Sequence, residues 1–306
     1  MKETYDILLY YKYTSIRNPQ KFALEHTELC QKLGLKGRVI IAEEGINATL
    51  EGLSKNIKKY IKTMSVKRGF SNVHWKVSDG TGEAFPRLSV KVRPEIVTLG
   101  LPKKKDVDPR KVTGKHIEPE TLHAWLREGK DIHIVDMRNT YEHKVGHFAG
   151  SILPPMQNFR DLPKVLPTLK HLKNKKVVTV CTGGIRCEKA SGYLVKEGFK
   201  DVSQLYGGIV SYMKKYPGKD FLGSLYVFDK RVTMAYDPKK QTRPVIGVCE
   251  KCGVATESYA DCTNSRCRHQ MLCCLDCVSQ DKAFCSEECI RIVEKNPHVR
   301  SQSVVK

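Results

Sequence analysis

The sequence predicts an α/β protein in three parts: an N-terminal α+β domain, a central α/β domain with a parallel sheet, and a small cysteine-rich module at the C-terminal end. Residues 1–95 order their strand-like and helix-like segments as βαββαβ, residues 116–235 alternate between strand and helix, and residues 243–296 are crowded with cysteine. A chain of 306 residues can hold two compact domains and a small third one, because domains commonly run to about 100–200 residues.

The N-terminal domain is predicted over residues 1–95. The strand-like segments are YDILLYYKY, KGRVIIA, INATLEG and RLSVKVR, and the helix-like segments are PQKFALEHTELCQKL and SKNIKKYIKTM. This order is the split-βαβ pattern of ferredoxin-like and acylphosphatase-like folds, in which two helices cover one face of an antiparallel sheet. Glu43, Glu44 and Gly45 are expected to form a turn between two strands. A basic domain of this kind is also a candidate clamp for RNA.

Residues 96–115 are predicted to form a linker. The segment contains prolines, glycines and the lysine run Lys103, Lys104 and Lys105. A solvated charge run is the simpler interpretation, and contact with phosphate groups is the alternative.

The central domain is predicted over residues 116–235. Pro119 marks the start of a helix through ETLHAWLREG, and IHIVDMR and KVVTVC are buried strands. GIRCEKASGYLVKEGF is an amphipathic helix that ends at Gly198, IVSYMKKY is a short helix, and LYVFDKRVTM is a strand. Because strand and helix alternate, the sheet is expected to be parallel.

A reactive thiol is expected at Cys181. The strand KVVTVC leads Cys181 into a tight turn at Gly183 and Gly184, and a helix begins near Arg186. Backbone N–H groups of such a turn and the positive end of the helix favour thiolate over thiol. Cys187 lies in the first turn of that helix, so it is either a second redox thiol or a helix residue packed against the sheet.

Charge and cysteine content limit the function. Lys and Arg outnumber Asp and Glu by 53 to 33, and a net charge of +20 indicates a polyanionic partner such as nucleic acid. The sequence shows no secretion signal at its start and no apolar run of roughly 18 residues, so we expect a cytoplasmic protein that does not enter a membrane. Its 12 cysteines are then thiols, metal ligands or catalysts rather than disulfides. No glycine-rich fingerprint for flavin or nicotinamide is present.

Two motifs in the central domain resemble those of rhodanese sulfurtransferases, whose active-site cysteine can carry a persulfide. The upstream motif is DMR at 136–138, followed by Glu142 and by GHFAGSI at 146–152. The second motif resembles the six-residue active-site loop, and it comprises Cys181, Thr182, Gly183, Gly184, Ile185 and Arg186.

The whole chain is similar to the bacterial tRNA uridine hydroxylases, which convert the wobble uridine of certain tRNAs to 5-hydroxyuridine with molecular oxygen. The resemblance implies that Cys181 is the active-site residue, that tRNA is the substrate and that molecular oxygen is the co-substrate. Two alternatives remain open: a sulfurtransferase that carries a persulfide on Cys181, and a non-catalytic tRNA-binding protein that uses the rhodanese fold as a scaffold.

Charged residues near the upstream motif have structural interpretations. Asp136 and Arg138 are expected to fix local structure through an ion pair. Glu142, His143 and His147 have the residue types of an iron-binding facial triad, but the rhodanese-like motif that contains them favours a structural role.

The cysteine-rich tail is predicted to bind structural zinc. Zinc takes four thiolate or imidazole ligands in a tetrahedron, and its binding would supply folding free energy that so short a segment cannot obtain from apolar burial. Disulfides, free thiols and an iron–sulfur cluster are the alternatives. Arginines at 266, 268, 291 and 300 would allow this module to contact tRNA. One site could use Cys249, Cys252, Cys274 and Cys277, and another Cys262, Cys267, Cys285 and Cys289, with Cys273 and His269 as alternative ligands.

Overall fold

The computed structural model describes residues 3–102, 104–235, 244–267 and 269–301. Lys103 of the predicted linker and Arg268 of the tail therefore lie outside the described residues. The chain divides into two compact units, Met1–Arg138 with Ile152–Lys215, and Asn139–Ser151 with Tyr216–Lys306. Within the described ranges, no helix has the length and apolar character needed to cross a bilayer.

Strands and helices are numbered in chain order. The strands are β1 (Tyr5–Tyr13), β2 (Lys36–Ala42), β3 (Gly45–Leu53), β4 (Lys76–Gly80), β5 (Leu88–Val92), β6 (Lys115–Ile117), β7 (Ile132–Asp136), β8 (Gly146–Phe148), β9 (Lys176–Val180), β10 (Asp201–Leu205), β11 (Phe221–Gly223), β12 (Leu225–Tyr226), β13 (Thr233–Met234), β14 (Tyr259–Asp261) and β15 (Gln270–Leu272). The helices are α1 (Pro19–Lys32), α2 (Ser54–Ser65), α3 (Pro119–Arg127), α4 (Thr140–His143), α5 (Leu162–Leu169), α6 (Ile185–Lys196), α7 (Gly208–Lys215), α8 (Leu275–Ser279) and α9 (Glu287–Lys295).

The N-terminal part of the first unit is a sheet with the strand order β4-β1-β3-β2-β5. Strands β1 to β4 pair antiparallel, and β5 pairs parallel with β2. Helix α1 starts where the Asn18 side chain accepts a hydrogen bond from the Lys21 N–H and Pro19 occupies the first turn. Apolar residues of α1, α2 and the sheet form one core that includes Leu8, Leu50 and Ile57. The predicted split-βαβ arrangement is confirmed, with one additional strand.

The last strand of that pattern differs from the sequence prediction. RLSVKVR is not the fourth strand but β5, at the edge opposite β4. The fourth strand is β4, in which only Lys76 is buried, so it shows no apolar run or alternation that periodicity could detect. The predicted turn at Glu43 and Glu44 between β2 and β3 is confirmed.

The second sheet of the first unit has the order β6-β10-β9-β7 and is parallel throughout, as the alternation of strand and helix predicted. The segment predicted as a linker packs into the core of this sheet. Leu99 and Val107 are buried there beside Val135 and Leu194, while Lys104 and Lys105 are exposed. The described residues of the segment contain no helix or strand before β6, but they form a packed connection.

The second unit consists of short elements. Three antiparallel pairs occur among its described residues, β8 with β11, β12 with β13, and β14 with β15. LYVFDKRVTM, predicted to be one strand, is the hairpin β12–β13, because Asp229 and Arg231 form a turn in its middle. One small core contains Val145, Tyr226 and Tyr259, and a second core consists largely of cysteine side chains.

Candidate active site and cysteine clusters

Cys181 follows β9 directly and is fully buried, with 0% of its surface exposed. The N–H of Gly184 donates a hydrogen bond of 3.2 Å to its sulfur. Gly184 has a φ of 98°, in the left-handed region that glycine occupies without strain, and it is the residue that caps α6. The predicted turn and helix start therefore place the sulfur at the positive end of α6.

The backbone of the loop is held by the first turn of α7. Ile209 N–H donates to the Cys181 carbonyl at 2.9 Å, and Val210 N–H donates to the Thr182 carbonyl at 3.0 Å. Gly208 allows this close approach, because a Cβ atom at that position would lie 2.6 Å from the Cys181 carbonyl oxygen. The loop is thus fixed on both sides, by α6 and by α7.

The two thiols of the loop titrate differently. Burial by itself raises the pKa of Cys181, but a hydrogen bond from the Cys187 thiol, the charge of Arg186 and the N–H groups of Cys187 and Arg186 together lower it to about 6. The pKa of Cys187 is raised well above its usual range, first by burial and then by its hydrogen bond to Cys181. At neutral pH the pair therefore holds a thiolate on Cys181 and a proton on Cys187.

The N-terminal sheet covers this loop. A Cβ atom at Gly183 would lie 3.0 Å from Cδ2 of Leu9, and one at Gly184 would lie 3.0 Å from the hydroxyl of Tyr11. The ammonium of Lys76 sits 5.1 Å from the centre of the Tyr11 ring. These residues could not be predicted from the sequence, because nothing local in the strands signals a contact with a loop more than a hundred residues away.

Glu188 of α6 joins four parts of the chain. It accepts hydrogen bonds from the Tyr11 hydroxyl at 2.9 Å, the His116 ring at 2.9 Å, and the side chains of Thr113 and Gln204 at 3.2 Å. Burial raises the pKa of Glu188, but these donors, His116 foremost, bring it below its usual range. The carboxylate is therefore ionised, and it ties the N-terminal sheet to the parallel sheet.

Lys189 makes a second buried connection between these sheets. Its side chain is 0% exposed, and its ammonium lies 2.9 Å from a Glu44 oxygen and 2.6 Å from a Glu95 oxygen. Both carboxylates are largely covered, at 17% and 16% exposure. Burial lowers the pKa of Lys189, but its two hydrogen-bonded carboxylates raise it above the ordinary value, so the charge is retained.

The charged residues of the upstream motif have structural roles. The expected ion pair is present: the Arg138 guanidinium lies 2.6 Å from an Asp136 carboxylate oxygen, and both side chains are fully buried. Glu142 accepts the N–H of Asn139 in a capping box, and the His147 ring bonds the carbonyl of His143. Among the described residues, the sets of three or more ligand side chains that could hold a metal ion are two cysteine clusters, so the facial triad is not formed.

The two cysteine clusters contain the ligand sets that the spacing suggested. Within each cluster all four sulfur atoms lie within 4.8 Å of one another. The sulfurs of Cys252 and Cys274 are 3.7 Å apart, and that of Cys285 lies 3.4 Å from Cys267 and 3.6 Å from Cys289. A tetrahedral zinc ion with bonds of about 2.3 Å separates its sulfur ligands by roughly 3.8 Å, so this geometry fits zinc. The clusters are Cys249, Cys252, Cys274 and Cys277, and Cys262, Cys267, Cys285 and Cys289.

The alternative ligands Cys273 and His269 belong to neither cluster. Cys273 is a buried core residue, and His269 is exposed. Of the tail arginines, Arg291 pairs with Glu287 and Arg300 with Asp281.

Three family descriptions match successive parts of the chain. They are "UPF0176 acylphosphatase like domain" over residues 5–96, "Rhodanese-like domain" over 118–215 and "Rhodanase C-terminal" over 222–290. Relatives that carry the name tRNA uridine(34) hydroxylase match nearly the whole chain. The one from Cytophaga hutchinsonii is 42% identical over 96% of this chain and 92% of its own length. Those from Bacillus cytotoxicus and Bacillus cereus are 40% and 41% identical, over 99% and 96% of this chain and 93% and 92% of their own lengths.

Solved structures of rhodanese-like domains match part of the chain. A rhodanese-like domain protein from Staphylococcus aureus is 32% identical, with a TM-score of 0.29, over 32% of this chain and 90% of its own. The rhodanese-like domain from an Anabaena protein is 21% identical, with a TM-score of 0.31, over 36% of this chain and 80% of its own.

Proposed function

Because the chain belongs to the tRNA uridine(34) hydroxylase family, we propose that it is an enzyme that converts the wobble uridine of tRNA to 5-hydroxyuridine with molecular oxygen, and that Cys181 is its active-site residue. The observation that carries this proposal is the buried sulfur of Cys181, which accepts a hydrogen bond of 3.2 Å from the Gly184 N–H, in a chain related to that family along nearly its whole length. The excess of Lys and Arg, with a net charge of +20, suits a tRNA substrate.

Cys187 is the proposed second redox thiol. Hydroxylation replaces the C5–H bond of uracil by C5–OH and leaves one oxygen atom of O2 to be reduced to water, which requires two electrons and two protons. Two thiols that form one disulfide release that number of electrons and protons. Cys181 and Cys187 share a hydrogen bond, so they are placed to form the S–S bond as the O–O bond breaks.

The N-terminal domain is the proposed RNA clamp, but deleting it is not a sound test. Its residues Tyr11, Glu44 and Glu95 pair with Glu188 and Lys189 in the other sheet, and deletion would leave those buried charges without partners. Substitution of exposed lysines tests the clamp with the fold intact.

The decisive experiment compares wobble nucleosides from a strain that lacks this protein and is complemented with variants. Wild type should restore a uridine that carries one additional oxygen atom, and Cys181→Ser should not. Cys30, a buried free thiol in the core of the N-terminal sheet, provides the control Cys30→Ala, which should restore it. Restoration by Cys181→Ser would remove this thiol from the mechanism.

Sulfurtransfer is the second candidate, and the thiolate of Cys181 favours it, because a thiolate is the form that accepts sulfane sulfur. The same nucleoside measurement separates the two reactions. A thiolated nucleoside that depends on Cys181, with no change in the oxygenated one, would establish sulfurtransfer. Unchanged tRNA binding in Cys181→Ser, with no modified nucleoside that depends on the wild-type protein, would favour the non-catalytic scaffold.

The cysteine clusters are proposed to hold structural zinc. All eight ligands are thiols at tetrahedral spacing, and no position is left for a substrate. The ligand pairs interleave along the chain, because the first and third pairs form one cluster and the second and fourth pairs form the other. Two ions bound in this way would hold the loops of the second unit together where its apolar core is small.

A further inference from the structure

A cavity of about 400 Å³ lies beside the active-site loop, within the first unit. It is bounded by the residues just before and within β4, by the start of α3 and by α7. Val210 and Ser211 line it, and Val210 donates its N–H to the carbonyl of Thr182, so a residue of the cavity wall is bonded directly to the loop. This volume is within the range of small-ligand sites.

Lys76 is the unusual cation of this cavity. It is 8% exposed, yet in the described ranges its ammonium has neither a carboxylate within 4.0 Å nor a hydrogen-bond acceptor. Its side chain also reaches the loop, because a Cβ atom at Gly183 would lie 3.8 Å from Cε of Lys76. Its ammonium lies over the Tyr11 ring, 5.1 Å from the ring centre, so its burial is compensated less than that of Lys189, which has two carboxylates.

A second polar atom in the cavity also lacks a partner. Nδ1 of His74 is buried without a hydrogen bond to any described residue. The pKa of His74 is lowered to about 4, by burial first and then by the charge of Lys76, so the ring is neutral at pH 7. Among the described residues, the cavity therefore offers an ammonium that has no carboxylate or hydrogen-bond acceptor and an imidazole nitrogen that has no hydrogen bond.

The remaining walls suit a nucleotide. The ring of His74 stacks on that of Tyr206 with centroids 4.7 Å apart and planes 20° apart, which forms an aromatic surface. Lys214 and Lys215 lie at the exposed rim, where Lys215 pairs with Glu120 and Lys214 bonds the carbonyl of Val77. Single-stranded RNA is recognised by aromatic surfaces for the base and by cations for the backbone.

We propose that this cavity binds the wobble uridine, with the base against the His74–Tyr206 pair and a uracil carbonyl oxygen accepting a hydrogen bond from Lys76. Uracil presents carbonyl acceptors beside its N3–H donor, and these complement an ammonium and an imidazole nitrogen. Cytosine would direct its exocyclic amino group at one of these positions. The inference rests on the proposed function, because it assigns the position of the substrate base in that reaction.

Photocrosslinking tests the location. Full-length protein is irradiated with an anticodon stem-loop that carries 5-iodouridine at position 34, and the crosslinked peptides are identified by mass spectrometry. Crosslinks should fall on His74, Trp75 or Tyr206, while 5-iodouridine at position 33 should react elsewhere. Crosslinks from position 34 that lie only outside these residues, or none, while wild type modifies the unsubstituted stem-loop, would overturn the proposal.

Lys76→Met tests the contact. The variant should lose at least tenfold in kcat/KM for stem-loop modification, while its urea midpoint stays equal or rises, because a buried unpaired cation has been removed. Lys164→Met, at an exposed lysine of α5 outside the proposed clamp, should keep both values. Activity of Lys76→Met within twofold of wild type would refute the assignment. If wild type itself forms no 5-hydroxyuridine, the proposed function fails, and the crosslink still reports whether the cavity binds the base.

Discussion

Lys189→Met should destabilise the protein by about 3 kcal/mol. The substitution leaves Glu44 and Glu95 facing each other without the ammonium that lies 2.9 and 2.6 Å from their oxygens. Removing one partner of a buried ion pair costs about 3–5 kcal/mol. The cost here lies at the lower end of that range, because the two carboxylates remain 17% and 16% exposed. They also keep hydrogen bonds from backbone N–H groups, Glu44 from Ile96 and Glu95 from Leu99 and Gly100.

The loss should depend on pH. Burial already raises the pKa of Glu44, and Lys189 partly offsets this rise. Without Lys189 the pKa rises further above its unfolded value, so the folded state of the variant is favoured at acid pH and weakened as pH rises through that pKa. The difference between wild type and variant should therefore shrink toward pH 4.

Urea unfolding followed by tryptophan fluorescence measures the loss of stability at each pH, because both tryptophans, Trp75 and Trp125, lie in the first unit. Lys59→Met, at an exposed lysine, is the matched control and should leave the stability unchanged. The triple variant that combines Lys189→Met with Glu44→Gln and Glu95→Gln should recover most of the lost stability. A loss below about 1 kcal/mol, or one independent of pH, would refute the argument that these buried charges fix the N-terminal sheet.

Three further predictions concern the thiols. The ultraviolet absorbance of thiolate, taken as wild type minus Cys181→Ser, should titrate near pH 6, with thiolate lost below that pH; a midpoint near 9 would contradict the site description. Cys187→Ala should raise that midpoint, because a hydrogen-bond donor to the thiolate is lost, while Cys30→Ala should leave it unchanged. Chelation should release two zinc ions and abolish protection from hydrogen exchange in α8 and α9, while β9 keeps its protection. Unchanged protection in α8 and α9 after chelation would show that the clusters need no metal.

The sequence identified the elements whose signals are local. Gly183 and Gly184 after an apolar strand predicted the turn at Cys181, and the loop has that form. The cysteine spacing likewise suggested the two groups that the structure brings together. In both cases a short stretch of chain determines the geometry, so residue order carries the information.

The site residues that could not be predicted from the sequence depend on distant partners. Glu188 and Lys189 lie in a helix where residues 186–194 are all buried, yet an adjacent Glu-Lys pair is ordinarily the mark of an exposed helix face. Their burial is tolerable only because Glu44, Glu95 and His116 arrive from other elements. Lys76 could not be predicted for a similar reason, since its strand contains a single apolar residue, Val77, and shows no hydrophobic periodicity.

These contacts change how an RNA clamp could operate. The first domain was expected to be an RNA clamp joined by a basic linker, but Leu9 and Tyr11 contact the loop that contains Cys181, and Glu95 fixes the start of the connection to Lys189. A domain fixed in this way cannot bind tRNA independently of the active site. Its strands form part of the wall around the thiol, so substitutions in β1 or β4 should alter modification rate as well as tRNA affinity. A deletion would abolish both and could not separate them.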